Sequence, residues 1–246
     1  MPTRRKLRHA AATAVIAIGV TAGLAPVSSA APRDTYDPKI EPSDFVATVD
    51  NPYFPLTPGA RWVYEGTTNE GSERVEIEVT DQTKEILGVT TVVVHDLAFI
   101  DGELVEDTVD WFAQDRQGNV WYMGEDTHEI KDGKPVSSRG SWEAGVDGAK
   151  PGIAMKAKPR VGETYRQEYY KGTAEDMATV LGVHASGSVP YGAFDDAVKT
   201  KDFSPLEPKL VEHKFYARDV GFVLEKTLKG GTGRIGLIEY TNPSGE

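Results

Sequence analysis

From Arg61 onward the apolar residues of this chain fall mostly two apart, the period of a β-strand with one face buried. Residues 74–80 read Arg-Val-Glu-Ile-Glu-Val-Thr, which places Val75, Ile77 and Val79 on one inward face. Comparable runs predict strands over 61–67, 90–100, 105–114, 119–125, 163–170, 177–185, 193–202, 210–217, 221–228 and 234–241. Their separators are turn residues: Asp101-Gly102, Asp132-Gly133, Lys229-Gly230-Gly231 and a tip at Gln117-Gly118-Asn119. Residues 174–181 suit a short helix or the opening of a strand. No stretch sustains a helical 3.6-residue stripe. The fold class expected is mainly β: a curved antiparallel sheet, a half-barrel or barrel, with little helix.

Three segments depart from this pattern. Residues 1–30 carry Arg4, Arg5, Lys6 and Arg8, then an apolar run over 14–27, then Ser28-Ser29-Ala30, the layout of a secretory signal peptide. The Thr3-Arg4-Arg5-Lys6-Leu7-Arg8 start also suits twin-arginine export. The run is short, holds Gly19, Gly23 and Pro26, and is followed by no second apolar segment, so no membrane anchor is expected in the mature chain. Residues 31–58, with prolines 32, 38, 42, 52, 55 and 58, read as an extended tether in which residues 43–49 suit one helical turn. Residues 59–246 then form a single monomeric β domain, interrupted by an irregular Gly/Pro-rich loop over 143–160 that suits a lid.

Charge narrows the partners. The chain has 27 Lys and Arg against 38 Asp and Glu, a net of −11. The first thirty residues hold four of the basic residues and none of the acidic ones, which leaves 23 against 38, or −15, for the remainder. Such a field repels nucleic acid and favours cations. There are no cysteines, which excludes disulfides, thiolate metal sites, a cysteine nucleophile and a lipidated N-terminal cysteine.

The run Pro55-Leu56-Thr57-Pro58-Gly59-Ala60-Arg61-Trp62-Val63-Tyr64-Glu65 resembles the opening strand of uncharacterised exported bacterial families. Val189-Pro190-Tyr191-Gly192-Ala193-Phe194 and Phe215-Tyr216-Ala217-Arg218-Asp219-Val220-Gly221-Phe222-Val223 share that look. The resemblance covers residues 52–67 and 186–226. It implies a strongly curved antiparallel sheet, similar to the half-barrels of periplasmic lipoprotein carriers. It carries no catalytic residue.

Candidate chemistry is sparse. With a turn at Gln117-Gly118, Asp110 falls opposite Gly124 or Glu125, and Asp107 falls near residues 126–128. A directly opposed Asp110–Glu125 pair repels unless a divalent cation or a shared proton relieves it. His95 shares strand parity with Val93, Leu97 and Phe99, and His213 with Val211, Phe215 and Ala217, so both are expected on an apolar face; Asp96 falls on the other face with Val92, Val94 and Ala98. Convergence of His95, His184 and His213 would make a metal site or a general base oriented by Glu168 or Asp110. The metal candidates are Asp110, Glu125 and His184, and no cofactor is identified. His128 lacks the second histidine of a zinc-protease motif, and no Gly-x-Ser-x-Gly elbow or phosphate loop occurs.

Aromatic residues spread over several strands suit a concave apolar slot. The leading expectation is non-catalytic binding of a small apolar or amphipathic ligand under the 143–160 loop. Trp111, Trp121 and Trp142 would make the contacts, with His95 and His213 as polar handles. Two other classes stay open: an enzyme, as a metal-assisted hydrolase or an isomerase using a buried histidine and a carboxylate, and a structural, envelope-associated interaction module.

Overall fold

The computed structural model describes residues 36–243; the expected signal peptide, residues 1–30, lies outside the described residues, as do residues 31–35 of the expected tether. A short 3-10 turn, Pro42–Asp44, precedes sixteen strands. These are β1 (Phe45–Val46), β2 (Arg61–Thr68), β3 (Gly71–Ile86), β4 (Val89–Ile100), β5 (Glu103–Asp115), β6 (Val120–Lys131), β7 (Lys134–Ser137) and β8 (Trp142–Glu143). They continue as β9 (Lys150–Met155), β10 (Thr164–Arg166), β11 (Glu168–Tyr169), β12 (Met177–Val189), β13 (Gly192–Phe203), β14 (Val211–Ala217), β15 (Gly221–Lys229) and β16 (Gly233–Thr241). The protein is mainly β, as the alternation predicts, and every strand pairing among the described residues is antiparallel. The Asp101-Gly102 and Asp132-Gly133 turns take positive φ at both positions, the backbone that tight two-residue hairpins need.

Thirteen strands form one hydrogen-bonded path, β10-β12-β13-β14-β15-β16-β2-β3-β4-β5-β6-β9-β11. The two ends of that path, β10 and β11, are separated in the chain by Gln167 alone. One short segment therefore pairs with β12 on one side and β9 on the other, and the sheet nearly closes into a barrel. Gln167 stitches the bend, its N–H donating to the Asp176 carbonyl at 2.8 Å.

Closure here depends on a glycine for space. A Cβ at Gly152 would sit 2.2 Å from the Gln167 carbonyl carbon and 2.5 Å from the Glu168 nitrogen, both backbone atoms that no rotamer change can move. Gly152→Ala is expected to part β9 from β11, lowering stability by about 2–4 kcal/mol in the manner of an overpacked core. Chemical denaturation checks this, with amide exchange of residues 150–155 and 164–169 reporting whether the loss is local to the seam.

Two segments differ from the sequence-based expectation. Within 143–160, residues 150–155 form strand β9, paired with β6 and β11, with Ile153 and Met155 in the core. Pairing on both edges outweighs the low strand preference of Gly152 and Pro151. Residues 36–58 of the Pro-rich segment are docked and not an extended tether. Its β1 pairs with β5, Tyr36 Oη donates to the Pro151 carbonyl at 2.7 Å, and Val49 and Leu56 are buried. The backbone N–H groups of Asp50 and Asn51 both donate to Gln114 Oε1, so the segment finds its donors' partners in a side chain.

Candidate functional site

Register decides which side chains line the interior. Val75, Ile77 and Val79 of β3 lie opposite Ala98, Asp96 and Val94 of β4, and residues paired across an antiparallel ladder share a face. The inward row of β4 is therefore Val92, Val94, Asp96 and Ala98, all buried, while His95 is half-exposed and lies opposite Glu78. This corrects the expectation for His95: both rows are similarly apolar in sequence, and the neighbouring strand fixes the choice. His95 Nε2 instead lies 2.8 Å from Asp107 Oδ1. His213 is corrected likewise. Its ladder partners are Lys201 and Lys226, whereas the adjacent Lys214 lies opposite Thr200 and Glu225, all three buried.

At one end of the interior is an apolar pocket of about 40 Å³. Trp62, Tyr64, Ile77, Val94, Phe112 and Phe222 form its wall, and Phe54, Pro55 and Leu56 of the docked N-terminal segment cover it. The polar atoms of its aromatics are already used. Trp62 Nε1 donates to the Val220 carbonyl at 2.8 Å and Tyr64 Oη to the Phe222 carbonyl at 3.0 Å. The pocket is therefore dry-walled.

Beyond it the interior becomes acidic. Along β5 the inward row runs Phe112, Asp110, Thr108, Glu106, after a bulge at Trp111/Phe112. Successive members stand about 7 Å apart at a strand's rise. Across β6, Asp110 faces Glu125, Thr108 faces Thr127, and Glu106 faces Glu129. The direct Asp110–Glu125 opposition is one of the two alternatives legible in the sequence. Phe112 stacks on Tyr122 at 4.9 Å, and Tyr122 Oη donates its single proton to Asp110 Oδ1 at 2.6 Å. Glu168 of β11 enters the same region, accepting from Trp142 Nε1 at 3.1 Å. Trp142 meets Tyr122 edge-on at 5.3 Å.

Asp110, Glu125 and Glu168 are at most 1 % exposed. Burial lifts the Asp110 carboxyl to about 7, with the Tyr122 hydrogen bond opposing. Burial, then Glu168 and Asp110, hold Glu125 well above the usual carboxylate range. Burial and the Asp176 charge do the same for Glu168, against hydrogen bonds from the Asp176 backbone and Trp142. On the adjoining walls burial raises Glu106 to about 8 and Glu73 to about 9, and raises Asp96 strongly. A second buried group, Asp202 and Glu225, holds Lys214 Nζ at 3.6 and 3.8 Å.

The other sequence candidates scatter. Trp111 lies on the opposite face from Asp110, its ring 3.3 Å from Lys84 Nζ. Trp121 is half-buried and donates to Asp115 Oδ2 at 2.9 Å, in the turn beside Phe45. Trp142 alone of the three reaches the buried acids. His184 is exposed and bonded to Asp196 at 2.8 Å, apart from Asp110 and Glu125. The histidine-plus-carboxylate constellation of the enzyme reading is not assembled, and among the described residues no three potential ligands converge on a metal position. Asp96 keeps the company its parity gives it, Val92, Val94 and Ala98, while Glu73, Lys214 and the Tyr122 hydroxyl are interior polar groups for which parity with inward apolar neighbours is the only sequence signal.

No protein family matches the chain. No curated protein matches it either. Two solved structures are similar to it. A Bacteroides fragilis protein, described as exported and of YmcC-like fold, is 15% identical with a TM-score of 0.45, covering 77% of this chain and 98% of its own. A Parabacteroides distasonis protein, described as a lipoprotein, is 14% identical with a TM-score of 0.43 over the same shares.

Proposed function

We propose that the protein is an exported, non-catalytic binding protein that holds a small amphipathic ligand in the concave interior of its barrel. The leader-like residues 1–30 support action outside the cytoplasm. The observation that carries the reading is the dry aromatic pocket closed by Phe54, Pro55 and Leu56, whose lining residues Ile77 and Val94 pair across the sheet with Asp96 and Asp110 of the polar interior rows. Apolar walls with polar groups at one end match a ligand with one apolar and one polar end. At about 40 Å³ the pocket takes only the tip of such a molecule unless Phe54 moves. Phe54 is half-buried and contacts Phe112 at 5.2 Å and Tyr216 at 6.4 Å, so it is the movable wall.

Two substitutions test this in opposite directions, with 1-octanol as probe and calorimetric titration as readout. Phe54→Ala widens the mouth and is expected to tighten octanol binding several-fold, at a stability cost of about 1–2 kcal/mol, below that of a fully buried Phe. Val94→Phe fills the pocket and is expected to weaken binding at least tenfold. A folded Val94→Phe protein that binds octanol like the parent overturns the reading.

A further inference from the structure

Resting on that reading, we infer that the polar end of the ligand is a primary ammonium, held by Asp110, Glu125 and Glu168. The oxygens Asp110 Oδ2, Glu125 Oε1 and Oε2, and Glu168 Oε1 are buried and accept no hydrogen bond from the protein. Buried carboxylate oxygens are normally satisfied, so four together mark acceptors shaped for a donor. Tyr122 bonds Asp110 through Oδ1 and Trp142 bonds Glu168 through Oε2, which leaves Asp110 Oδ2 and Glu168 Oε1 as open acceptors beside Glu125. An ammonium is an all-donor group with three protons, the complement of this set once its carboxyls give up their own protons to solvent.

The same barrel contains a built example. Between β13 and β15, the Lys214 ammonium lies buried between Asp202 and Glu225. The charges that raise Glu125 and Glu168 are instead carboxylates: Glu168, Asp110 and Glu106 on the first, Asp176 and Asp110 on the second. A divalent metal fits less well, since its oxygen ligands must close to about 2.0–2.6 Å and no such convergence exists among the described residues. The pocket wall abuts this set: Val94 pairs with Asp110, and Phe112 is the next inward residue, about 7 Å along the strand. An alkyl chain in the pocket thus carries its terminal amine toward Glu125.

Titration calorimetry at pH 8 with octylamine, 1-octanol, octanoate and Ca²⁺ tests the inference on the full exported protein. Octylamine is expected to bind at least tenfold more tightly than octanol, and octanoate not measurably. Glu125→Gln and Asp110→Asn should each weaken octylamine at least tenfold and leave octanol within twofold. Each change removes a repelling carboxylate and keeps its shape, and a melting curve confirms folding. Equal affinity for amine and alcohol, or unchanged amine binding in both variants, overturns the ammonium and leaves the pocket standing. Failure of both octyl compounds to bind removes the pocket reading and the ammonium together. Calcium that binds and displaces octylamine replaces the ammonium with a metal.

Discussion

The protein without ligand is expected to lose stability steadily as pH rises from 5 to 9. Glu106, Glu73 and Asp110 have folded-state values near 8, 9 and 7, and Asp96, Glu125 and Glu168 lie well above the usual range. Their unfolded values are near 4. Between those limits the folded state holds more protons than the unfolded state, so unfolding free energy falls with pH. The contribution is complete below about pH 4 and is lost as pH climbs through 7 to 9. Asp176 adds to the negative field on Glu168, Tyr122 steadies Asp110, and Lys214 pulls Asp96 down without reversing the balance. Two such groups titrating across two pH units account for about 5 kcal/mol, or roughly 10–20 °C in melting temperature for a domain of this size. Thermal melts in a non-coordinating, amine-free buffer measure it. A melting temperature that is flat or rises over pH 6–9 would show the carboxyls to be ionised and compensated in the fold. Glu125→Gln should reduce the slope, because it removes one group and one repulsion on Asp110.

Most of the strand order, and one feature of the interior, could be read from the chain. The hairpin turns at Asp101-Gly102 and Gln117-Gly118 set the β4–β5 and β5–β6 registers; counting from the turn leaves Asp110 opposite Gly124 or Glu125, and the bulge at Trp111/Phe112 selects Glu125. The inward face of β4 could not be read alone. Val93, Leu97 and Phe99 make as plausible a core row as Val92, Val94 and Ala98, and only pairing with Val75, Ile77 and Val79 turns Asp96 inward and His95 outward. Strand β9 was obscured by Pro151 and Gly152, yet that glycine is what lets the Gln167 backbone approach. Near-closure at Gln167 reflects shear and tilt over the whole sheet, which no local pattern encodes. Lys214 was missed for a related reason. A lysine beside Phe215 reads as surface until β13 and β15 bring Asp202 and Glu225 to it.

Replacing that lysine is expected to be among the most damaging single changes in the barrel. Lys214 is 4 % exposed, and Asp202 and Glu225 are buried to the same degree. Burial alone would depress the ammonium's pKa, but Asp202, Glu225 and Glu212 outweigh it and hold the value above the ordinary lysine range. A raised lysine pKa stabilises the fold throughout the range below its unfolded value near 10.4. Lys214→Met keeps the length and apolar stem of the side chain while removing the positive charge from between the two acids. Thr200 Oγ1, bonded to Asp202 Oδ1 at 2.5 Å, cannot neutralise either. Breaking a buried ion pair from one side costs about 3–5 kcal/mol. Denaturant unfolding of Lys214→Met beside the parent at pH 8 measures the loss. The triple change Lys214→Met, Asp202→Asn and Glu225→Gln separates charge from packing. If charge imbalance is the cause, the triple variant recovers most of the stability at pH 8; if it stays as unstable as Lys214→Met, the lysine's packing and not its charge supports the barrel.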